Sequence, residues 1–90
     1  VTADYTVSIY DQLVRADSTA GAMLVTLPLA STCIGKRYTI KRVDASANAV
    51  TLAPTSPELI DGSGSAITIA TMAAVEVQAG ADYWDIVSKT

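Results

Sequence analysis

The chain has 90 residues with nine acidic and six basic side chains, a net charge of −3, half its residues apolar and no histidine. A chain this small is read as one domain that buries only roughly 60–65% of the surface its unfolded form exposes. The acidic balance argues against a nucleic-acid partner, the lack of His removes Ser-His-Asp, Cys-His and His-metal chemistry, and the lone Cys33 removes an internal disulfide and a four-ligand zinc site.

The elements read as a series of short alternating runs. Tyr5, Val7 and Ile9 alternate with Thr6 and Ser8 and predict a first strand, turned by Tyr10 to Gln12. Leu13 to Asp17 is a short second strand, and Asp17, Ser18 and Gly21 supply a turn in which Gly21 is expected to take a positive φ. Met23, Val25 and Leu27 share one face of a third strand stopped by Pro28. Ala30 to Ile34 lack alternation, so a short helical turn is expected there, closed by Gly35.

Tyr38 and Ile40 then face one side of a strand, with Thr39 and Lys41 on the other. Arg42 followed by Val43 breaks the alternation and predicts a bulge. The same period separates Arg37 and Lys41 from Lys36 and Arg42, so the basic residues form no single stripe. Asp44, Ser46 and Asn48 mark a turn. Val50 and Leu52 lead to a loop bracketed by Pro54 and Pro57, and Leu59–Ile60 precedes an Asp61–Gly62 step suited to a tight turn. Ile67 with Ile69, Val75 with Val77, and Trp84 with Ile86 carry the pattern to the end. Eight or nine short strands at this spacing predict an all-β fold, a small antiparallel β-sandwich or jelly-roll-like domain with one helical turn near Ala30–Ile34.

Mean hydropathy is +0.35 and only 17% of residues are charged, so apolar surface is expected to be left over. No stretch approaches the roughly 20 apolar residues of a membrane-spanning helix. The surplus is expected to meet another protein chain rather than lipid. The chain opens on Val rather than Met, with no signal-peptide pattern, which leaves its N-terminal boundary open.

Groups able to do chemistry are few. Asp82 with Asp85, and Glu58 with Asp61, are close enough in sequence for paired-carboxylate work, but their turn and surface settings favour structural roles. The Asp61 to Ser65 stretch offers oxygen atoms to a hard cation without the EF-hand spacing. Cys33, beside Ile34, reads as a small buried residue rather than a reactive thiol. Trp84 is expected in the core; the alternative is a sugar-stacking platform using Trp84, Tyr83 or Tyr10.

The ordered set Leu27–Pro28, Gly35–Lys36, Val43–Asp44, the small-polar turn Ala45 to Asn48, Ile60–Asp61–Gly62 and a late Trp84 runs from Tyr5 to Val87. It resembles a recurrent module of tailed-bacteriophage fibre, tail-spike and head-fibre proteins. The resemblance implies a β-rich virion module, commonly homotrimeric, at the tail or capsid surface, serving assembly, decoration or host attachment. Its implied partners are copies of itself, other virion proteins and a host cell-surface glycan or protein, with no catalysis, no cofactor and no membrane insertion. The family pattern marks turns and core positions, so it transfers no receptor-binding residue.

Residues 1–90 are thus expected to form a single β-domain, a module of a longer fibre protein. Small apolar-rich chains gain by burying a sheet face against copies of themselves; composition suits twofold or threefold closure equally, and the trimer comes from the resemblance. The loops expected to be exposed for contact are Asp17 to Gly21, Asp44 to Asn48, Pro54 to Pro57 and Asp61 to Ser65. A carbohydrate-binding module is the alternative function, and a glycan-degrading fragment with Asp82 or Asp85 assembled across subunits is a third.

Overall fold

Period-2 alternation produces strands here wherever an inward apolar residue can meet others across a shared interior. A computed structural model describes residues 1–90. Nine strands form: β1 (Tyr5–Thr6), β2 (Leu13–Ala16), β3 (Met23–Thr26), β4 (Arg37–Arg42), β5 (Val50–Ala53), β6 (Leu59–Ile60), β7 (Ile67–Ile69), β8 (Ala74–Ala79) and β9 (Tyr83–Lys89). The expected helical turn is present as a 3-10 turn over Ala30–Thr32.

From β1 to β8 successive strands alternate between two sheets, and β9 stays beside β8. One sheet has the order β1-β3-β5-β7 and the other β2-β4-β8-β9-β6. The neighbours β1 and β3, β3 and β5, and β2 and β4, each separated in the chain by a strand of the other sheet, run parallel. The expectation of antiparallel pairing is therefore corrected: β4–β8, β5–β7 and β8–β9 are antiparallel, β6–β9 is parallel, and both sheets are mixed.

The inward residues of both sheets meet in one cluster of 17 buried apolar side chains. Val25 and Leu52 enter from the first sheet, and Tyr38, Ile40, Val77 and Trp84 from the second, all fully buried. Trp84 lies in this core as expected, its ring centroid 5.7 Å from that of Tyr38 at a tilt of 52°. Its indole N–H donates to the Pro28 carbonyl at 3.1 Å, which ties β9 to the Leu-Pro stop that follows β3.

The bulge lies elsewhere than expected. Tyr38, Ile40, Arg42 and Asp44 are all buried, so the alternation continues through Arg42 without a break. The irregularity falls between β8 and β9, where Val77 pairs with Ile86 and Glu76 with Ser88, leaving Val87 as the extra residue.

Asp61 and Gly62 both have positive φ, 48° and 80°, between reciprocal Ile60 and Ser63 backbone bonds of 2.8 and 2.9 Å. That is the two-residue hairpin turn the Asp-Gly step predicts. Gly21 does not take a positive φ; Met72, in the β7–β8 turn, does, at 59°. Gly80 has a different role. A Cβ there would lie 2.3 Å from the Tyr83 ring, which packs directly over the glycine.

Candidate functional site

Two of the four expected contact loops turn inward and lock together. Asp44 follows β4 at an inward position, and its Oδ1 accepts the Ser18 N–H at 3.0 Å. The Ser18 hydroxyl contacts both carboxylate oxygens at 3.2 and 3.1 Å, while the Ser46 hydroxyl and N–H donate to Oδ2 at 2.6 and 3.0 Å. Asn48 closes the other side, its side-chain amide donating to the Ser18 carbonyl at 2.8 Å. Ser18 is fully buried and Asp44 nearly so. The expectation of free loops at Asp17 to Gly21 and Asp44 to Asn48 is corrected for these members: they join two connections instead of presenting both to solvent.

Arg42 completes the cluster. Its guanidinium lies 3.4 Å from Asp44 Oδ1 and donates to the carbonyls of Ile69 at 3.0 Å, Ser46 at 3.0 Å and Asn48 at 2.5 Å. A buried cation needs both a counter-charge and acceptors for its remaining donors, and this pocket supplies both. The Ser18 N–H first, then the Ser46 hydroxyl, hold the Asp44 carboxyl well below the usual carboxylate range, against the opposing effect of burial. Chemically the cluster is a closed tie in which each buried side-chain polar atom has a partner.

The carboxylates considered for acid–base work are spread among structural tasks. Glu58 is buried and accepts the Ala30 N–H at 2.5 Å and the Ser31 N–H at 3.3 Å, so it caps the start of the 3-10 turn. Asp61 accepts the Ile86 N–H at 2.8 Å, away from that capping site. Asp85 is exposed on β9, and Asp82 is exposed in the turn before it. In the Asp61 to Ser65 stretch, Ser63 Oγ accepts the Ser65 N–H at 3.1 Å. No group of three or more Cys, Asp or Glu side chains gathers in the fold.

Of the aromatic residues, Trp84 is fully buried and has no face free for a sugar, which corrects its place in the stacking platform. Tyr10 is 85% exposed and Tyr83 45% exposed. Cys33 is half-buried against the core, its thiol 3.6 Å from the Leu29 carbonyl. Beside it, the fully buried Tyr38 hydroxyl has no hydrogen-bond partner. Burial first, then the neighbouring Cys33, pushes its pKa up to about 12. The one concavity, about 210 Å³ between the β7–β8 turn and the C-terminal residues, is lined by Ile69, Ala73, Val75 and Lys89. That is below the roughly 300 Å³ at which small-molecule sites begin.

The Pro54 to Pro57 loop is pinned at one end by the Thr55 hydroxyl, which donates to the Leu27 carbonyl at 2.7 Å, and is exposed at Ser56 and Pro57. Asp61 to Ser65 is exposed throughout.

The two sheets differ in charge, a property that no single stretch of the sequence displays. The strands of β1, β3, β5 and β7 contain no ionisable group other than Tyr5, while those of the other sheet carry Arg15, Arg37, Lys41, Arg42, Glu76, Asp85 and Lys89. Register places Thr6, Thr26 and Ala53 in one outward row and Leu24, Thr51 and Thr68 in the next. Asp4 borders this face, its carboxylate accepting the Leu24 N–H at 2.8 Å. The opposite outer face is solvated and charged, with Arg37 and Glu76 paired at 3.8 Å.

In comparison with known proteins, the chain matches no protein-family model and no curated protein sequence.

Proposed function

We propose that the chain is a non-enzymatic structural module of a bacteriophage virion, a tail fibre, tail spike or head fibre, that associates as a homotrimer. The observation that carries this reading is the uncharged outer face of the β1-β3-β5-β7 sheet, with its rows of Thr, Ala and Leu. An outer sheet face without charge can be buried against copies of itself without desolvating ions, whereas the face bearing Arg37, Lys41 and Glu76 cannot. The order of turn and core motifs that resembles the fibre modules supplies the biological setting and the threefold state. We read the two mixed sheets as closing on each other in the manner of a small sandwich.

In this reading the buried polar tie and the Trp84–Pro28 bond keep the framework rigid, and the loops left outside, Ser56–Pro57 and Asp61 to Ser65, are repeated around the assembly. Weak contacts made several times over then sum to useful avidity at a host surface or against other virion proteins.

A direct test inserts charge at the centre of the uncharged face. The Thr26→Lys and Thr51→Lys double variant, followed by sedimentation velocity, is expected to convert trimer to folded monomer. The control Thr39→Lys on the charged face is expected to leave assembly intact. Unchanged sedimentation of the double variant would remove this face as the interface. Loop variants at Ser56–Pro57 and Asp61 to Ser65 that leave host attachment unchanged would reduce the role to holding chains in register.

A further inference from the structure

The geometry points to the outer edge of β2 as an acceptor for an extended segment that runs parallel to it and leads directly into Val1, adding another winding to the two-sheet stack. β2 is the terminal strand of its sheet and pairs only with β4. The Gln12 and Ala16 carbonyls face β4, where they accept the Thr39 and Val43 N–H groups at 3.0 and 2.9 Å. Backbone groups alternate in direction along a strand, so those of Leu13, Arg15 and Asp17 face away.

Two of these outward groups are already taken by Val1. Its amino nitrogen donates to the Arg15 carbonyl at 2.6 Å, and its carbonyl accepts the Asp17 N–H at 2.9 Å. A residue that donates to position j−1 and accepts from position j+1 is in parallel pairing with residue j. Val1 is therefore one rung of a parallel strand opposite Ala16. The same ladder extended backwards gives the residue two before Val1 the Leu13 carbonyl to donate to and the Arg15 N–H to accept from; neither group has a backbone partner.

The chemistry of the occupant follows from the faces of β2. Val14 and Ala16 point inward and Leu13 and Arg15 outward. The residue two before Val1 would sit opposite Val14 and must be apolar. The residue just before Val1 would sit opposite exposed Arg15 and is best polar or acidic. Val1, opposite the fully buried Ala16, is 43% exposed. At the other edge of this sheet the two-residue strand β6 pairs with β9 alone. The Val1 rung is what marks the β2 edge, and this edge chemistry is independent of how copies associate through the uncharged face.

The test compares the 90-residue chain with versions carrying a short alternating extension before Val1, apolar two positions before it, and with the same extension bearing Pro at that position. Proline has no N–H for the Leu13 carbonyl and places its ring there instead, so the segment cannot seat and its carbonyl is not brought to the Arg15 N–H. Amide hydrogen exchange by NMR is expected to show Arg15 N–H slowed about tenfold or more by the alternating extension and returned to the unextended rate by Pro. Equal Arg15 exchange in all three chains would overturn the inference. So would slow exchange in the unextended chain that rises with protein concentration, since the edge would then be taken by a second copy.

Discussion

The Arg42 guanidinium and the Asp44 carboxylate lie 3.4 Å apart, Arg42 at the end of β4 and Asp44 two positions beyond it, each side chain about 5% exposed. This pair ties the β4 exit to the Asp17 to Gly21 connection through Ser18 and to β7 through the Ile69 carbonyl. Replacing Arg42 with Ala leaves a buried carboxylate and three carbonyls short of their donors. The expected loss is about 3–5 kcal/mol, a large part of the stability of a small domain. Urea denaturation measures it, and a loss below about 1 kcal/mol would show the cluster to be wet or dispensable.

Acid should release the same tie. The folded Asp44 carboxyl titrates lower than it does in the unfolded chain, so the folded state binds fewer protons there. Its contribution is fully present above the unfolded pKa near 3.9 and is lost progressively as pH falls from about 5 downward. The urea midpoint should drop over that range in the natural chain and drop less in Asp44→Asn, which starts lower at neutral pH. Parallel pH profiles for the two would contradict the assignment.

The Tyr38 hydroxyl is a buried donor with nothing to donate to, so removing it should not harm the fold. Tyr38→Phe is expected to leave stability unchanged or raise it by up to about 1 kcal/mol at neutral pH. The raised pKa, from 10.0 to about 12, means that the folded chain keeps a proton the unfolded chain releases, so stability falls as pH rises through that window. Thermal melts from pH 9 upward should show a smaller alkaline loss in Tyr38→Phe. Destabilisation of the variant at neutral pH would reveal a hydrogen bond to this hydroxyl.

Met72 holds a left-handed backbone, φ 59°, at an exposed turn closed by the Ala73 N–H to the Ala70 carbonyl at 3.0 Å. Glycine takes this conformation without the Cβ clash, at some cost in unfolded-state entropy. Met72→Gly is therefore expected to stabilise by about 0.5–1 kcal/mol. A lower melting temperature in the variant would mean that the Met72 side chain makes contacts the fold needs.

The strands were legible because each carries its own alternation, which states where side chains point. Alternation does not say which strand lies beside which, so the parallel pairs, formed between strands that are not consecutive in the chain, were hidden. The Asp61–Gly62 hairpin was readable because its two residue types satisfy a local backbone demand. Arg42 was misread for the opposite reason: a charge at an inward position looks like a phase break until Asp44, Ser18 and Asn48 close around it from up to 24 residues away. The uncharged face was equally invisible, since its rows of Thr and Ala assemble only when alternate strands are gathered into one sheet.

Absolute mass by light scattering across a dilution series, at neutral pH and moderate salt, tests the assembly claim most directly. A mass three times the 9.3 kDa of the chain, held on dilution, is the predicted result. A folded, monodisperse monomer at every concentration would contradict it.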